Sequence, residues 1–157
     1  MKIGLFIHSH TGNTLSVAEQ LNKKLQNDGH SVELKRLEPV GGENTNEIDI
    51  NKINFQPEPE ISGYDYVIMG APVRGFSISP VLAAYLDKVP SLKGQKIDLY
   101  VTQAFPYNWM GGSNAIKQMK NACEKKGAVV RNTSIINWRN KKKEVQIQEL
   151  INIMGNK

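Results

Sequence analysis

Ile3-Gly4-Leu5-Phe6-Ile7 runs straight into His8-Ser9-His10-Thr11-Gly12-Asn13-Thr14, after which Leu15, Ala18, Leu21 and Leu25 recur at helical spacing. An apolar run, a polar loop containing glycine and an amphipathic periodicity, in that order, spell a strand, a tight turn and a helix. A loop so placed turns its backbone N–H groups and the positive end of the helix dipole toward one point, which suits an anion. Nucleotide-hydrolysing loops carry Lys followed by Ser or Thr, and dinucleotide folds carry spaced glycines; neither pattern is here. The hydroxyls of Ser9, Thr11 and Thr14, the Asn13 amide and the close backbone approach at Gly12 instead fit a terminal phosphate monoester, held without a cation and kept rather than cleaved. The same hexapeptide also serves as an ordinary N-cap, because Ser, Thr and Asn favour helix starts for local reasons. The rest of the chain decides between them.

The pattern continues as strand and helix in alternation. Ser31 to Leu37, Tyr66 to Met69, Ile97 to Val101 and Ala128 to Ile136 read as further strands, the last interrupted by Arg131-Asn132. Ser79 with Pro80 starts one helix, Ser113 starts another that ends at Gly127, and Ile147, Leu150, Ile151 and Met154 line a third. Five strands and about five helices predict a three-layer α/β fold, a parallel sheet covered on both faces. Residues 31–37 alternate, as an edge strand does, whereas 3–7 and 66–69 look buried on both sides. That agrees with the doubly wound order 2-1-3-4-5, in which ligands sit at the carboxyl ends of the strands beside the switch point between strands 1 and 3, where the Ser9 loop lies.

Length and composition predict a single domain over 1–157, cytoplasmic, with no membrane span and no signal-peptide pattern. The one cysteine, Cys123, shares an apolar stripe with Ile116 and Met119 and reads as a buried structural thiol.

Two more loops should reach the Ser9 loop. One is Gly70-Ala71-Pro72-Val73-Arg74-Gly75-Phe76-Ser77; the other is Thr102-Gln103-Ala104-Phe105-Pro106-Tyr107-Asn108-Trp109-Met110-Gly111-Gly112. Phe105, Tyr107 and Trp109 in a loop at a ligand end suit stacking on a flat ring, with a core or lid role as the alternative for any one of them.

With three loops placed, the chain resembles the flavodoxin family over nearly its whole length. Ser9-His10-Thr11-Gly12-Asn13-Thr14 is similar to that family's FMN phosphate loop. Pro72, Val73, Arg74, Gly75 and Phe76 resemble the loop against one side of the isoalloxazine, with Gly75 where a peptide reorients toward flavin N5. By the same likeness Thr102, Gln103, Ala104, Phe105, Tyr107, Trp109, Gly111 and Gly112 would cover the other side. Met110-Gly111-Gly112 before a helix also resembles flavodoxin-like quinone reductases. Phosphoacceptor domains and low-molecular-weight phosphatases share the strand order, but the first need acidic residues where His8 and Ser9 stand, and the second need a Cys and an Arg framing the loop.

The resemblance implies FMN as cofactor, no metal, and redox chemistry supplied by the flavin with no catalytic side chain. Two functions stay open: an electron carrier between redox partner proteins, favoured by the single short domain, and an NAD(P)H-dependent quinone reductase. Against 15 acidic residues stand 20 basic ones, a balance of +5. This departs from acidic flavodoxins and predicts partners with acidic docking surfaces. Arg74 either favours reduced, anionic flavin or only holds its own loop. Arg139-Asn140-Lys141-Lys142-Lys143, with Glu144 beside it, reads as a solvated helix start and not as a nucleic-acid site. His10 reads as a surface residue, and His8 and His30 as structural. Residues 38–63 show only the short alternation Ile48-Asp49-Ile50, and predict an extended excursion, a place for a partner or oligomer contact. The expected assembly is a monomer or a weak homo-oligomer.

Overall fold

The computed structural model describes residues 1–42 and 49–156. Strand β1 (Lys2–Ile7), helix α1 (Asn13–Asn27) and β2 (Ser31–Arg36) come first. They are followed by β3 (Tyr66–Pro72), α2 (Pro80–Lys88), β4 (Lys96–Gln103), α3 (Gly112–Lys125), β5 (Val129–Asn137) and α4 (Lys143–Ile153). All strand pairs are parallel, and the order is β2-β1-β3-β4-β5. The burial patterns follow from it. β1, β3 and β4 are apolar on both faces, whereas the edge strand β2 exposes every other residue over most of its length.

One core lies between the sheet and α1 with α4, built on Leu5, Ile7, Ile68, Val17, Leu21 and Leu150; the other lies under α2 and α3, built on Phe6, Met69, Leu99, Leu82 and Met119. Each such side chain contributes about 1.5–3 kcal/mol by leaving water. Cys123 is buried in the second core, and burial pushes its thiol up to about 12. Gly70 is required where the cores meet the site: a Cβ there would come within 2.2 Å of the Tyr100 ring, whose hydroxyl donates to the Thr14 carbonyl at 2.8 Å.

The interruption at Arg131-Asn132 is a β-bulge, since Ile97 pairs with Val130 but Leu99 with Thr133. Asp98 sits opposite, fully buried. Its Oδ1 accepts from the Tyr66 hydroxyl at 2.7 Å, Asn132 N–H at 2.9 Å and Asn132 Nδ2 at 3.1 Å, and its Oδ2 accepts from Gly155 N–H at 2.9 Å. Burial raises its carboxyl above the ordinary carboxylate value, against the opposite pull of these hydrogen bonds.

Two sequence expectations need correction. Among the described residues there are four α-helices; between β2 and β3 only a 3₁₀ turn, Ile50–Lys52, replaces a crossover helix. Ile53, Phe55 and Ile61 are nevertheless buried in the α2-side core, Phe55 meets Tyr85 edge-on at 5.7 Å, and the Tyr85 hydroxyl donates to the Pro59 carbonyl. The extended excursion expected for this segment thus covers the sheet with side chains in place of a crossover helix. Ile48 lies outside the described residues. The second correction concerns the start of α3, which is capped by Gly111 and not by Ser113. Gly111 has φ +116°, and a Cβ there would stand 2.7 Å from the Phe76 Cα, so the neighbouring loop admits only glycine at the helix start.

Candidate functional site

At the carboxyl ends of β1, β3 and β4 three loops meet. The first leads into α1 through left-handed Gly12 (φ +95°), and α1 has neither a side-chain N-cap bond nor an acidic residue in its first turn. Its nearest substitute is Ser9 Oγ, which accepts from Leu15 N–H at 3.3 Å, near the limit for such a bond. No carboxylate in the first turn of α1 offsets the positive end of the helix, and Ser9, His10, Thr11, Gly12 and Asn13 surround it in exposed or half-buried positions. Thr14 differs: it is buried, and its hydroxyl is 2.7 Å from that of Thr102, tying this loop to the end of β4. At the loop's base buried His8 shares a 2.6 Å hydrogen bond through Nδ1 with Ser79 Oγ, which also accepts from Leu82 N–H at 3.3 Å and caps α2.

The second loop makes a two-residue hairpin. Arg74 and Ser77 exchange both backbone hydrogen bonds at 3.0 Å, and the residues between them, Gly75 and Phe76, have φ of +55° and +62°. Both signs positive define a type I′ turn. Phe76 is the one non-glycine residue in this region of backbone space among the described residues. Outside help holds it: Asn114 Nδ2 donates to the Phe76 carbonyl at 3.1 Å, and Gln118 Oε1 accepts from Ser77 Oγ and Ile78 N–H, each at 2.7 Å. Val73 N–H donates to the Thr102 carbonyl at 2.8 Å, so Pro72 and Val73 lie against the end of β4.

The third loop is laced by amides. Gln103 Nε2 donates to the Tyr107 carbonyl at 2.8 Å and to Asn137 Oδ1 at 2.5 Å, and Asn137 Nδ2 donates to Asn108 Oδ1 at 2.6 Å. Asn140 Nδ2 donates to the Pro106 carbonyl at 2.9 Å. The lacing holds aromatic side chains outward: Phe105 stacks parallel on Phe76 with centroids 5.5 Å apart, and Tyr107 on Trp109 at 6.3 Å. Ala104 is exposed on this loop, while Gly111 and Gly112 are buried at its end; a Cβ on Gly112 would meet the Gln103 amide at 3.0 Å. A cavity of about 330 Å³ opens beside Ser9 of the first loop on its β2 side, lined also by His8, Arg36 and Pro39.

Sequence reasoning did not single out Asn108, Asn114, Gln118, Asn137 or Asn140, which hold the loops. Asn108, Asn137 and Asn140 stand near strand ends, where a density of amides is the one signal; Asn114 and Gln118 lie within α3 and carry none.

No protein-family model matches the sequence, and no curated protein matches it. Solved structures do match. The flavodoxin of Megasphaera elsdenii, in its two-electron reduced form, is 20% identical with TM-score 0.64 over 95% of each chain. Flavodoxin 2 of Bacillus cereus is 18% identical with TM-score 0.65, covering 96% of this chain and 95% of that one. The flavodoxin of Fusobacterium nucleatum, solved bound to flavin mononucleotide, is 14% identical with TM-score 0.62, covering 96% and 95%. The fold is that of the flavodoxins. In this flavodoxin-like chain the three loops described above occupy the switch point of the sheet. No helix among the described residues is long and apolar enough to cross a membrane.

Proposed function

We propose that the protein binds FMN at the carboxyl ends of β1, β3 and β4 and carries electrons between redox partner proteins in the cytoplasm. The observation that carries the reading is the uncapped, acid-free start of α1 beside a loop of hydroxyls, next to two loops that present aromatic faces. Ser9, Thr11 and Asn13 with the first-turn amides of α1 would hold the phosphate by charge-assisted hydrogen bonds. Pro72 to Phe76 on one side and Ala104 to Trp109 on the other would hold the ring, with Gln103, Gly111 and Gly112 fixing the loop's shape. FMN supplies the electron storage. The chain supplies a turn able to respond to it. Glycine at the first central position permits the Gly75–Phe76 peptide to rotate from type I′ to type II′, which returns Phe76 to a negative φ and releases about 1–2 kcal/mol of left-handed strain. Arg74, half-buried in the same hairpin, would place positive charge near the ring.

Calorimetry with FMN and riboflavin tests the cofactor: FMN should bind more tightly by about tenfold or more, since each hydrogen bond to the charged phosphate contributes about 1.5–3 kcal/mol. Equal affinities would defeat the reading. Turnover of NADH or NADPH with a quinone by the purified, FMN-loaded protein would replace the carrier by an oxidoreductase.

A further inference from the structure

We infer that the basic turn after β5, together with Tyr107 and Trp109, forms a docking surface for a partner protein whose own contact face is acidic. The purpose of such a surface rests on the carrier reading above; its existence is tested separately. Turn and aromatic loop are one hydrogen-bonded unit. Trp138 N–H donates to the Gln103 carbonyl at 2.8 Å, and the Asn137–Asn108 and Asn140–Pro106 bonds fasten the turn to the loop on either side of Tyr107. Lys142 N–H in turn donates to Asn140 Oδ1 at 2.8 Å, which fixes the backbone that carries the charges.

On this rigid unit Arg139, Lys141 and Lys142 are exposed, and among the described residues no carboxylate pairs with any of them. Lys143 is engaged otherwise, over the Trp138 ring at 4.6 Å and beside Glu144 at 3.5 Å. Trp109 is 78% exposed and Tyr107 56%, stacked on each other. A large exposed aromatic pair rimmed by unpaired cations has the composition of an interface anchor with a steering rim. Solvation alone explains the lysines but not their attachment, through an amide network, to the loop that carries the stacked Tyr107 and Trp109. The cations stand on an exposed turn and do not converge on a cavity, which favours a protein surface over a small anion. Their number, three on one short turn, falls short of the extended basic stripe that a nucleic-acid backbone calls for. Tyr107 and Trp109 stand on the proposed flavin loop itself, so a docked partner's redox centre would lie close to the ring.

The chain's two tryptophans, Trp109 and Trp138, both lie in this unit, so their emission reads contact with a haem protein whether or not flavin is bound. The purified protein is titrated at low ionic strength with ferric cytochrome b5, an acidic haem protein, and with ferric cytochrome c, a basic one. Saturable quenching by cytochrome b5, weakened about tenfold or more by Lys141→Glu/Lys142→Glu and by physiological salt, is expected, with no saturable quenching by cytochrome c. The remote pair Lys23→Glu/Lys93→Glu changes net charge equally and should weaken binding by less than about twofold. Equal weakening by both pairs would show global charge and not a docking site, and would overturn the inference. So would unsaturable quenching by cytochrome b5, or saturation by a DNA duplex in its place. Loss of flavin binding with the quenching result intact would sink the cofactor reading and leave the docking surface standing.

Discussion

Replacing Asp98 by Asn removes one charge and leaves the shape. The variant's amide oxygen can take the three donors that now meet Oδ1, from Tyr66 and Asn132, but its NH₂ turns toward Gly155 N–H, donor against donor. One hydrogen bond to a charged acceptor is lost and one buried N–H is left unsatisfied. Offset by relief of the buried charge, the net deficit is about 2 kcal/mol at pH 7, or a Tm lowered by about 6 °C for a chain of this size. The pH dependence carries the sharper test. Burial raises the folded-state carboxyl above its ordinary 3.8, so the native protein binds this proton more readily than the unfolded chain. Wild-type stability from this group is therefore fully present below pH 3.8 and is lost as pH rises through the raised value. The Asn variant lacks that titration, so its deficit should be largest near the acid end and shrink toward neutrality. Urea unfolding of both proteins at several pH values between about 3.5 and 7 measures it. A deficit that grows with pH would show that four hydrogen bonds outweigh burial, and equal stability at every pH would show that the Gly155 contact contributes nothing.

Gly111→Ala should cost about 3 kcal/mol by urea unfolding, since the new Cβ would stand 2.7 Å from the Phe76 Cα at φ +116°. Thr11→Val should weaken FMN about tenfold in calorimetry and leave riboflavin unchanged, because in the proposed site that hydroxyl would serve the phosphate alone. Arg74→Met should lower the potential of the second electron in a low-salt potentiometric titration with FMN affinity nearly unchanged, the loss of a nearby positive charge disfavouring anionic reduced flavin. Cys123, with its thiol raised to about 12 by burial, should resist a thiol-specific reagent at pH 8 in the native protein and react at once in urea.

Much of this architecture was legible because the patterns are set by the solvent and by local chain geometry. Buried runs at residues 3–7 and 66–69 and the alternation of β2 gave the strand order, and Ser79 with Pro80 and Gly127 marked helix ends by their own backbone preferences. Arg131-Asn132 looked like an interruption and is a bulge, and the polar partner that makes it tolerable, Asp98, is remote in sequence. Ser113 misled for a related reason: its residue type favours a cap, but the space left by Phe76 and Val73 selects Gly111. The same holds at the site. Thr14 reads as a phosphate hydroxyl and is drawn inward by Thr102, 88 residues away, and the amides that lace the aromatic loop come from β5 and beyond. Phe76 in a left-handed conformation has no signature in sequence, since glycine or asparagine would be expected there.

The β2–β3 excursion gives the sheet an uneven cover. A helix holds to a sheet as a cooperative unit, its backbone hydrogen bonds closed within itself, whereas residues 49–63 are fastened by separate side chains, Ile53, Phe55 and Ile61, and by Tyr85 reaching back to Pro59. Such a cover detaches piecemeal. Amide protons over Phe6 and the neighbouring end of β2 therefore exchange through local openings that cost much less than global unfolding, while those of β3 and β4, beneath α2 and α3, wait for the whole molecule. The side of the protein nearest β2 is the first to admit solvent, protease or urea.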